Sequence, residues 1–169
     1  FEKLALICMD GMGFQEWFCV KNYLGDRGIS KFRETHVFAL LPTVTEISRR
    51  ALFSGKRHLA DLPMDARGFR EYVDRNMPVS QGQAQYFFDK YPRLRMEYFT
   101  SDYVGIVFGL VDDLLHRTRS IGQGKVLLQH NLELLLRQTE LEKVIEGFLV
   151  RGFKVIITAD HGSVYSRGM

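Results

Sequence analysis

Short runs of apolar and β-branched residues alternate with helical stretches along this chain, and this alternation constrains its fold more than any other feature. Four strands are predicted, over Leu4–Met9, His36–Leu41, Tyr103–Val111 and Lys154–Thr158. Helices are predicted over Gln15–Leu24, Thr43–Leu52 and Lys125–Val150. Such alternation indicates an α/β domain with a mostly parallel sheet and flanking helices.

The chain has 169 residues, of which 46% are hydrophobic and 25% charged, as expected of a single domain over residues 1–169. An insertion with loops and one or two short helices is assigned around residues 56–100. Cys8 and Cys19 are too few for a disulfide framework and should be reduced and buried. Since the chain begins at Phe1 and stops at Met169 just after a motif, we expect it to be part of a longer protein with other domains.

The longest uncharged apolar stretch, Tyr103–Val111, is too short to span a bilayer, so we expect a cytoplasmic domain with no membrane partner. The net charge of +3 is scattered along the chain rather than concentrated in a tail. That excess is compatible with a phosphate-bearing substrate but does not demonstrate one.

Ionisable side chains follow three of the predicted strands. Asp10 follows the first strand, Asp112 the third with His116 one helical turn later, and Asp160 and His161 follow the fourth. If the strands are parallel, these groups meet at one edge of the sheet. A cation would offset the repulsion among the carboxylates, so the pattern indicates a metal site.

Each of these groups also has a structural interpretation. Asp10 precedes a glycine and is a common turn former, while Asp112 and Asp113 could cap the helix that follows them. The sequence Asp160–Gly162 is harder to explain structurally, because it places an ionisable pair directly after a buried strand.

Two threonines follow the second predicted strand. Thr43 is explained as a helix cap with Glu46 as its capping-box partner. Thr45 would lie in the first helical turn, where the positive end of the helix dipole favours a deprotonated oxygen. A hydroxyl there, beside a metal ion, is a candidate nucleophile toward phosphorus.

Four segments of the chain together resemble the motifs of the PglZ domain of the alkaline phosphatase superfamily, in the same order. They are DGMG at 10–13, LPTVTEISRRALFSG at 41–55, VDDLLH at 111–116 and ITADHG at 157–162. The resemblance covers essentially the whole chain and is weakest across the middle insertion. It implies a truncated alkaline phosphatase-like core in a superfamily that includes phosphoesterases, sulfatases and phosphoglycerate mutases.

Residue by residue, the resemblance implies specific roles. Thr45 is the nucleophile, since it precedes the small-residue pair Ser54–Gly55 as the family pattern requires. One divalent ion is held by Asp10, Asp160 and His161, and a second by Asp112 and His116 with a further histidine expected beyond Met169. Both ions are expected to be Zn²⁺, with Mn²⁺ as the alternative. Arg49 is expected to be a surface residue, although it could instead contact phosphate.

The function implied is a metal-dependent phosphohydrolase, a phosphodiesterase acting on nucleotides or oligonucleotides in bacterial phage defence or two-component signalling. The alternative is a non-catalytic scaffold or sensor domain of such a defence or signalling complex. A sulfatase or phosphoglycerate mutase is a third alternative, and Thr45 argues against the sulfatases because they use a modified Cys or Ser at that position.

Overall fold

A parallel β-sheet covered by helices on both faces forms the fold, seen in a computed structural model that describes residues 3–77, 83–119 and 125–162. The strands are β1 (Lys3–Met9), β2 (Gln85–Asp89), β3 (Tyr103–Phe108) and β4 (Phe153–Thr158). The α-helices in these ranges are α1 (Phe14–Gly25), α2 (Thr45–Ser54), α3 (Asp65–Asn76), α4 (Leu110–Arg119), α5 (Lys125–Arg137) and α6 (Leu141–Val150). None of the helices in these ranges has the length and apolarity that a membrane span requires.

The strand order across the sheet is β2-β3-β1-β4, and every neighbouring pair is parallel. In the register of the sheet, Ile7 of β1 lies opposite Ile106 of β3 on one side and Ile157 of β4 on the other. This arrangement confirms the predicted α/β class with a parallel sheet. It also brings the carboxyl ends of β1, β3 and β4 to one edge, where the residues after each strand can meet.

Alternate side chains of β1 pack on opposite faces of the sheet. Ala5 and Ile7 belong to a core shared with α1, α5 and α6, whereas Cys8 packs with Phe53 of α2 and Phe69 of α3. Burial on both faces explains why β1 is a continuous apolar run rather than an alternating one. The two cysteines are free and buried, as predicted.

The predicted strand over His36–Leu41 is wrong. Residues 29–40 have no regular secondary structure, and the side chains of Val37 and Phe38 are exposed. The edge of the sheet beside β3 is formed by β2, which comes from the segment that the sequence assigned to loops and short helices. An apolar run forms a strand only where a neighbouring strand pairs with its backbone, and in this fold β3 pairs with the aromatic run of β2 instead.

The predicted long helix over Lys125–Val150 is two helices, α5 and α6. The carbonyl of Leu136 accepts hydrogen bonds from both the backbone N–H of Thr139, at 3.0 Å, and its hydroxyl, at 2.7 Å. The next N–H, of Glu140, donates to the carbonyl of Pro92 at 3.1 Å. These bonds replace the helical ladder and turn the chain between the two helices.

Candidate metal and nucleophile site

Asp10 is the first residue after β1 and lies at the carboxyl edge of the sheet. Its backbone N–H donates to the carbonyl of Phe108, the last residue of β3, at 3.0 Å. The next residue, Gly11, has a φ of 71°, in the left-handed region that favours glycine. The N–H of Gly11 donates to Oδ1 of Asp160 at 3.2 Å. The tight turn after β1 therefore places Asp10 beside the end of β4.

Asp10, Asp160 and His161 form the one group of potential metal ligands in the part of the chain that the structure describes, with ligand atoms within 4.8 Å of one another. Nε2 of His161 lies 3.7 Å from Oδ1 of Asp10 and 3.9 Å from Oδ2 of Asp160. The other oxygen of Asp160 accepts from the N–H of His161 at 2.9 Å and from Gly11. The first and last motifs of the chain thus meet at one place.

Thr45 joins this group through its hydroxyl, which lies 2.8 Å from Nε2 of His161. Nδ1 of the same ring lies 3.2 Å from the carbonyl of Gly162, which can only accept a hydrogen bond. In the neutral imidazole the proton is therefore assigned to Nδ1, and Nε2 keeps a lone pair for the Thr45 hydroxyl or for a metal ion.

The start of α2 differs from the capping box predicted for Thr43 and Glu46. The residue that precedes the helix is Val44, and no side chain caps the first turn. Val44 accepts the backbone N–H of Ser48 instead, so Thr45 is the first helical residue. The predicted capping box was wrong because it placed the N-cap at Thr43, one residue before the observed N-cap at Val44.

These residues fit a divalent cation. Oδ1 of Asp10 and Oδ2 of Asp160 are the two buried side-chain oxygens, among the described residues, without a hydrogen-bond partner. Burial and the neighbouring Asp160 carboxylate raise the pKa of Asp10 to about 7, against the opposing effect of Arg49. Two carboxylates and an imidazole are ligands that Zn²⁺ and Mn²⁺ accept.

Asp112 and His116 lie beside this group and not within it. Both are in α4, and Nε2 of His116 is 3.4 Å from Oδ1 of Asp112. A Cβ atom built on Gly11 would lie 3.5 Å from Cβ of Asp112, so the two sets are separated by little more than the backbone of the turn after Asp10. The side chain of His116 is 67% exposed.

Asp113, whose role the sequence left open, forms ion pairs with residues other than the candidate metal ligands. Its carboxylate lies 2.5 Å from Nζ of Lys90 and 3.0 Å from Nε of Arg117. The hydroxyl of Tyr91 also donates to it, at 3.3 Å. Asp113 therefore ties α4 to the segment that follows β2.

The interpretation of Arg49 as a surface residue is wrong. Its side chain is 17% exposed, and Nη1 donates to Oδ2 of Asp10 at 2.8 Å. Nε donates to Oδ2 of Asp65 at 2.9 Å, and the same oxygen accepts the hydroxyl of Tyr86 at 3.1 Å. The spacing of four residues from Thr45 could have indicated Arg49, because both lie on one helix face. No pattern in the sequence indicated Asp65 or Tyr86.

Comparison with known families agrees with this geometry. Residues 2–169 match the BREX system PglZ alkaline phosphatase-like domain, and the chain belongs to that family. The match confirms the resemblance carried by the four motifs, and the parallel sheet agrees with an alkaline phosphatase-like core. Such a fold is phosphoesterase-like and implies the use of divalent metal. No curated protein matches the chain.

Proposed function

We propose that this PglZ-family domain is a metal-dependent phosphodiesterase in which Thr45 attacks phosphorus. The observation that most supports this proposal is a pair of buried oxygens without hydrogen-bond partners. They are Oδ1 of Asp10 and Oδ2 of Asp160, and they lie beside Nε2 of His161. Buried carboxylate oxygens without partners cost free energy. A cation bound to these three residues would remove that cost, and it would lie next to the Thr45 hydroxyl.

A bound divalent cation would supply positive charge that lowers the pKa of a neighbouring hydroxyl and stabilises charge on phosphoryl oxygens. Asp10, Asp160 and His161 would hold one ion. We propose that Asp112 and His116 contribute to a second, since they lie on the other side of the Gly11 turn. The mixed carboxylate and imidazole ligands favour Zn²⁺, with Mn²⁺ as the alternative.

Thr45 supplies the nucleophilic oxygen. It is the first residue of α2, where unpaired backbone N–H groups and the helix dipole favour negative charge. Nε2 of His161 has one lone pair, so it accepts the Thr45 proton only while it holds no cation; otherwise that proton leaves to solvent. In-line attack forms the bond from Oγ1 to phosphorus as the bond to the leaving oxygen breaks. The leaving oxygen takes a proton from solvent, and water then hydrolyses the threonyl phosphodiester, which releases a phosphate monoester and restores the Thr45 hydroxyl.

Arg49 is the residue that we propose binds the phosphoryl oxygens. A guanidinium has five N–H donors, and hydrogen bonds to Asp10 and Asp65 use two of them. Its other donors have no acceptor among the residues that the structure describes. Arg49 lies one helical turn after Thr45, on the same face of α2. It contacts Asp10, whose other carboxylate oxygen lies 3.7 Å from the imidazole nitrogen that contacts Thr45.

The substrate class, phosphodiesters of nucleotides or oligonucleotides, rests on the family resemblance and on the association with BREX systems. We propose that other domains of the same protein, or partners in the defence complex, deliver that substrate. The second candidate function is a metal-binding scaffold or sensor without turnover. It is favoured by the second ligand pair, Asp112 and His116, which no third potential ligand joins among the described residues.

One comparison of two esters tests the proposal in the intact protein supplied with Zn²⁺ or Mn²⁺. We expect turnover of bis-p-nitrophenyl phosphate to exceed that of p-nitrophenyl phosphate, and a chelator to abolish both. Faster turnover of the monoester would contradict a phosphodiesterase. Bound metal with turnover of neither ester would favour the scaffold.

A further inference from the structure

The guanidinium of Arg49 is held between carboxylates from two different elements. Nη1 donates to Asp10 at the end of β1, at 2.8 Å, and Nε donates to Asp65 at the start of α3, at 2.9 Å. All three side chains are largely buried, with exposures of 17% for Arg49, 7% for Asp10 and 18% for Asp65. Charge-assisted hydrogen bonds at these distances fix the plane of a guanidinium as well as its position.

Tyr86 of β2 supports the same carboxylate. Its hydroxyl donates to Oδ2 of Asp65 at 3.1 Å, the oxygen that also accepts Nε of Arg49. Burial and the charge of Asp65 raise the pKa of Tyr86 above its ordinary value, so the hydroxyl remains a donor. Side chains from α2, α3 and β2 therefore meet at one oxygen of Asp65.

We propose, on the basis of the function proposed above, that Asp65 and Tyr86 are positioning residues that hold Arg49 for phosphate binding. Arginine loses considerable side-chain freedom when it is fixed, and a partner on Nε removes that freedom before substrate arrives. Without Asp65, Asp10 would be the remaining hydrogen-bond partner of the guanidinium among the described residues. The Arg49 side chain would then adopt more conformations, and a smaller fraction of them could bind phosphate.

The alternative role of Asp65 is only to stabilise α3, because an acidic residue in the first turn of a helix interacts favourably with the helix dipole. The two roles give different results when variants are combined. A purely structural Asp65 would act independently of Arg49, so their effects would add. A positioning Asp65 acts through Arg49, so its effect would disappear once Arg49 is removed.

The test is a double-mutant cycle in the intact, zinc-loaded protein, with bis-p-nitrophenyl phosphate as substrate and inorganic phosphate as the binding probe. We expect Asp65→Asn to raise both the KM and the phosphate Kd by about tenfold, with a smaller change in kcat. Asp65→Glu should restore part of this loss, and Tyr86→Phe should shift both constants less, in the same direction. The double variant Arg49→Ala/Asp65→Asn should be no worse than Arg49→Ala. Asp74→Asn, an exposed carboxylate on α3, is the matched control.

Additive effects in the cycle, or an Asp65→Asn variant that behaves like Asp74→Asn, would overturn the proposal. A second measurement needs neither turnover nor metal. In ¹⁵N spectra the Nε–H of Arg49 should exchange slowly with solvent and should lose this protection in Asp65→Asn. Unchanged protection in that variant would also overturn the positioning role. If the native protein protects this Nε–H but neither binds phosphate nor turns over esters, the proposed function fails, and Asp65 fixes Arg49 without serving phosphate binding.

Discussion

The hydroxyl oxygen of Thr45 lies 2.8 Å from Nε2 of His161, although 116 residues separate them in the chain. Thr45 begins α2, and His161 follows β4, whose neighbour in the sheet is β1. The contact therefore joins the proposed nucleophile to the carboxylates at the ends of β1 and β4.

Replacing Thr45 by alanine should abolish turnover without loss of metal. The substitution removes the attacking oxygen but none of the carboxylate or imidazole ligands. We expect kcat to fall by roughly a thousand-fold or more, measured with bis-p-nitrophenyl phosphate, while metal content per chain is unchanged. Thr43→Ala is the matched control, because Thr43 is an exposed threonine two residues earlier. Full activity in Thr45→Ala would reject the covalent route.

Replacing His161 or Asp160 should remove one of the two proposed ions as well as the activity. Each supplies a ligand atom to the buried group, so loss of either should weaken binding by more than the roughly 10- to 100-fold that outer-shell partners contribute. Metal content after dialysis, measured by mass spectrometry, gives the result for His161→Ala and Asp160→Ala. His130→Ala, on the exposed surface of α5, should retain native metal content. Equal retention in all three variants would place the ion elsewhere.

The meeting of Asp10, Asp160 and His161, the candidate metal ligands, was predictable because the parallel sheet itself brings them together. Asp10 and Asp160 follow strands that are neighbours, so the order of apolar runs and the residues after them were sufficient. Asp112 follows a predicted strand that ends earlier than expected, since β3 stops at Phe108 and α4 begins at Leu110. Asp112 and His116 consequently lie on a helix, where they pair with each other.

Other features could not be read from the sequence because they depend on long-range pairing. The run His36–Leu41, which is largely exposed, is as apolar as a buried strand, and only the backbone partners of β3 decide that β2 occupies the sheet. The hydrogen bonds of Asp65 likewise join three elements whose spacing in sequence has no regular relation.

Removing the second ligand pair should lower the metal stoichiometry by one ion. In Asp112→Ala and His116→Ala the group of Asp10, Asp160 and His161 is intact, so one ion per chain should remain. Calorimetric titration of the metal-free intact protein with Zn²⁺ counts both classes of site. Two ions bound by His116→Ala would show that the second ion does not use this imidazole.

In the metal-free protein, the contribution of Asp10 to stability should fall as pH rises from about 4 to about 7. Burial and Asp160 raise the pKa of Asp10 from 3.8 to about 7, so the folded state binds more protons than the unfolded state within this window. The contribution of Asp10 to the free energy of unfolding is present below the unfolded-state pKa of 3.8 and is lost as pH rises through the folded-state pKa of about 7. Its upper limit is on the order of 4 kcal/mol. Urea unfolding at each pH measures it as the difference between the native protein and Asp10→Asn. We expect the free energy of unfolding of the native protein, minus that of Asp10→Asn, to fall across this window. A rise in this difference would contradict the raised pKa of Asp10.

Anomalous diffraction at the zinc absorption edge, from crystals of the intact protein grown with Zn²⁺, tests the central claim most directly. We predict a peak about 2.0–2.2 Å from Oδ1 of Asp10, Oδ2 of Asp160 and Nε2 of His161, with the Thr45 hydroxyl no longer bonded to that nitrogen. Zinc bound elsewhere, with the hydrogen bond between Thr45 and His161 intact, would contradict it.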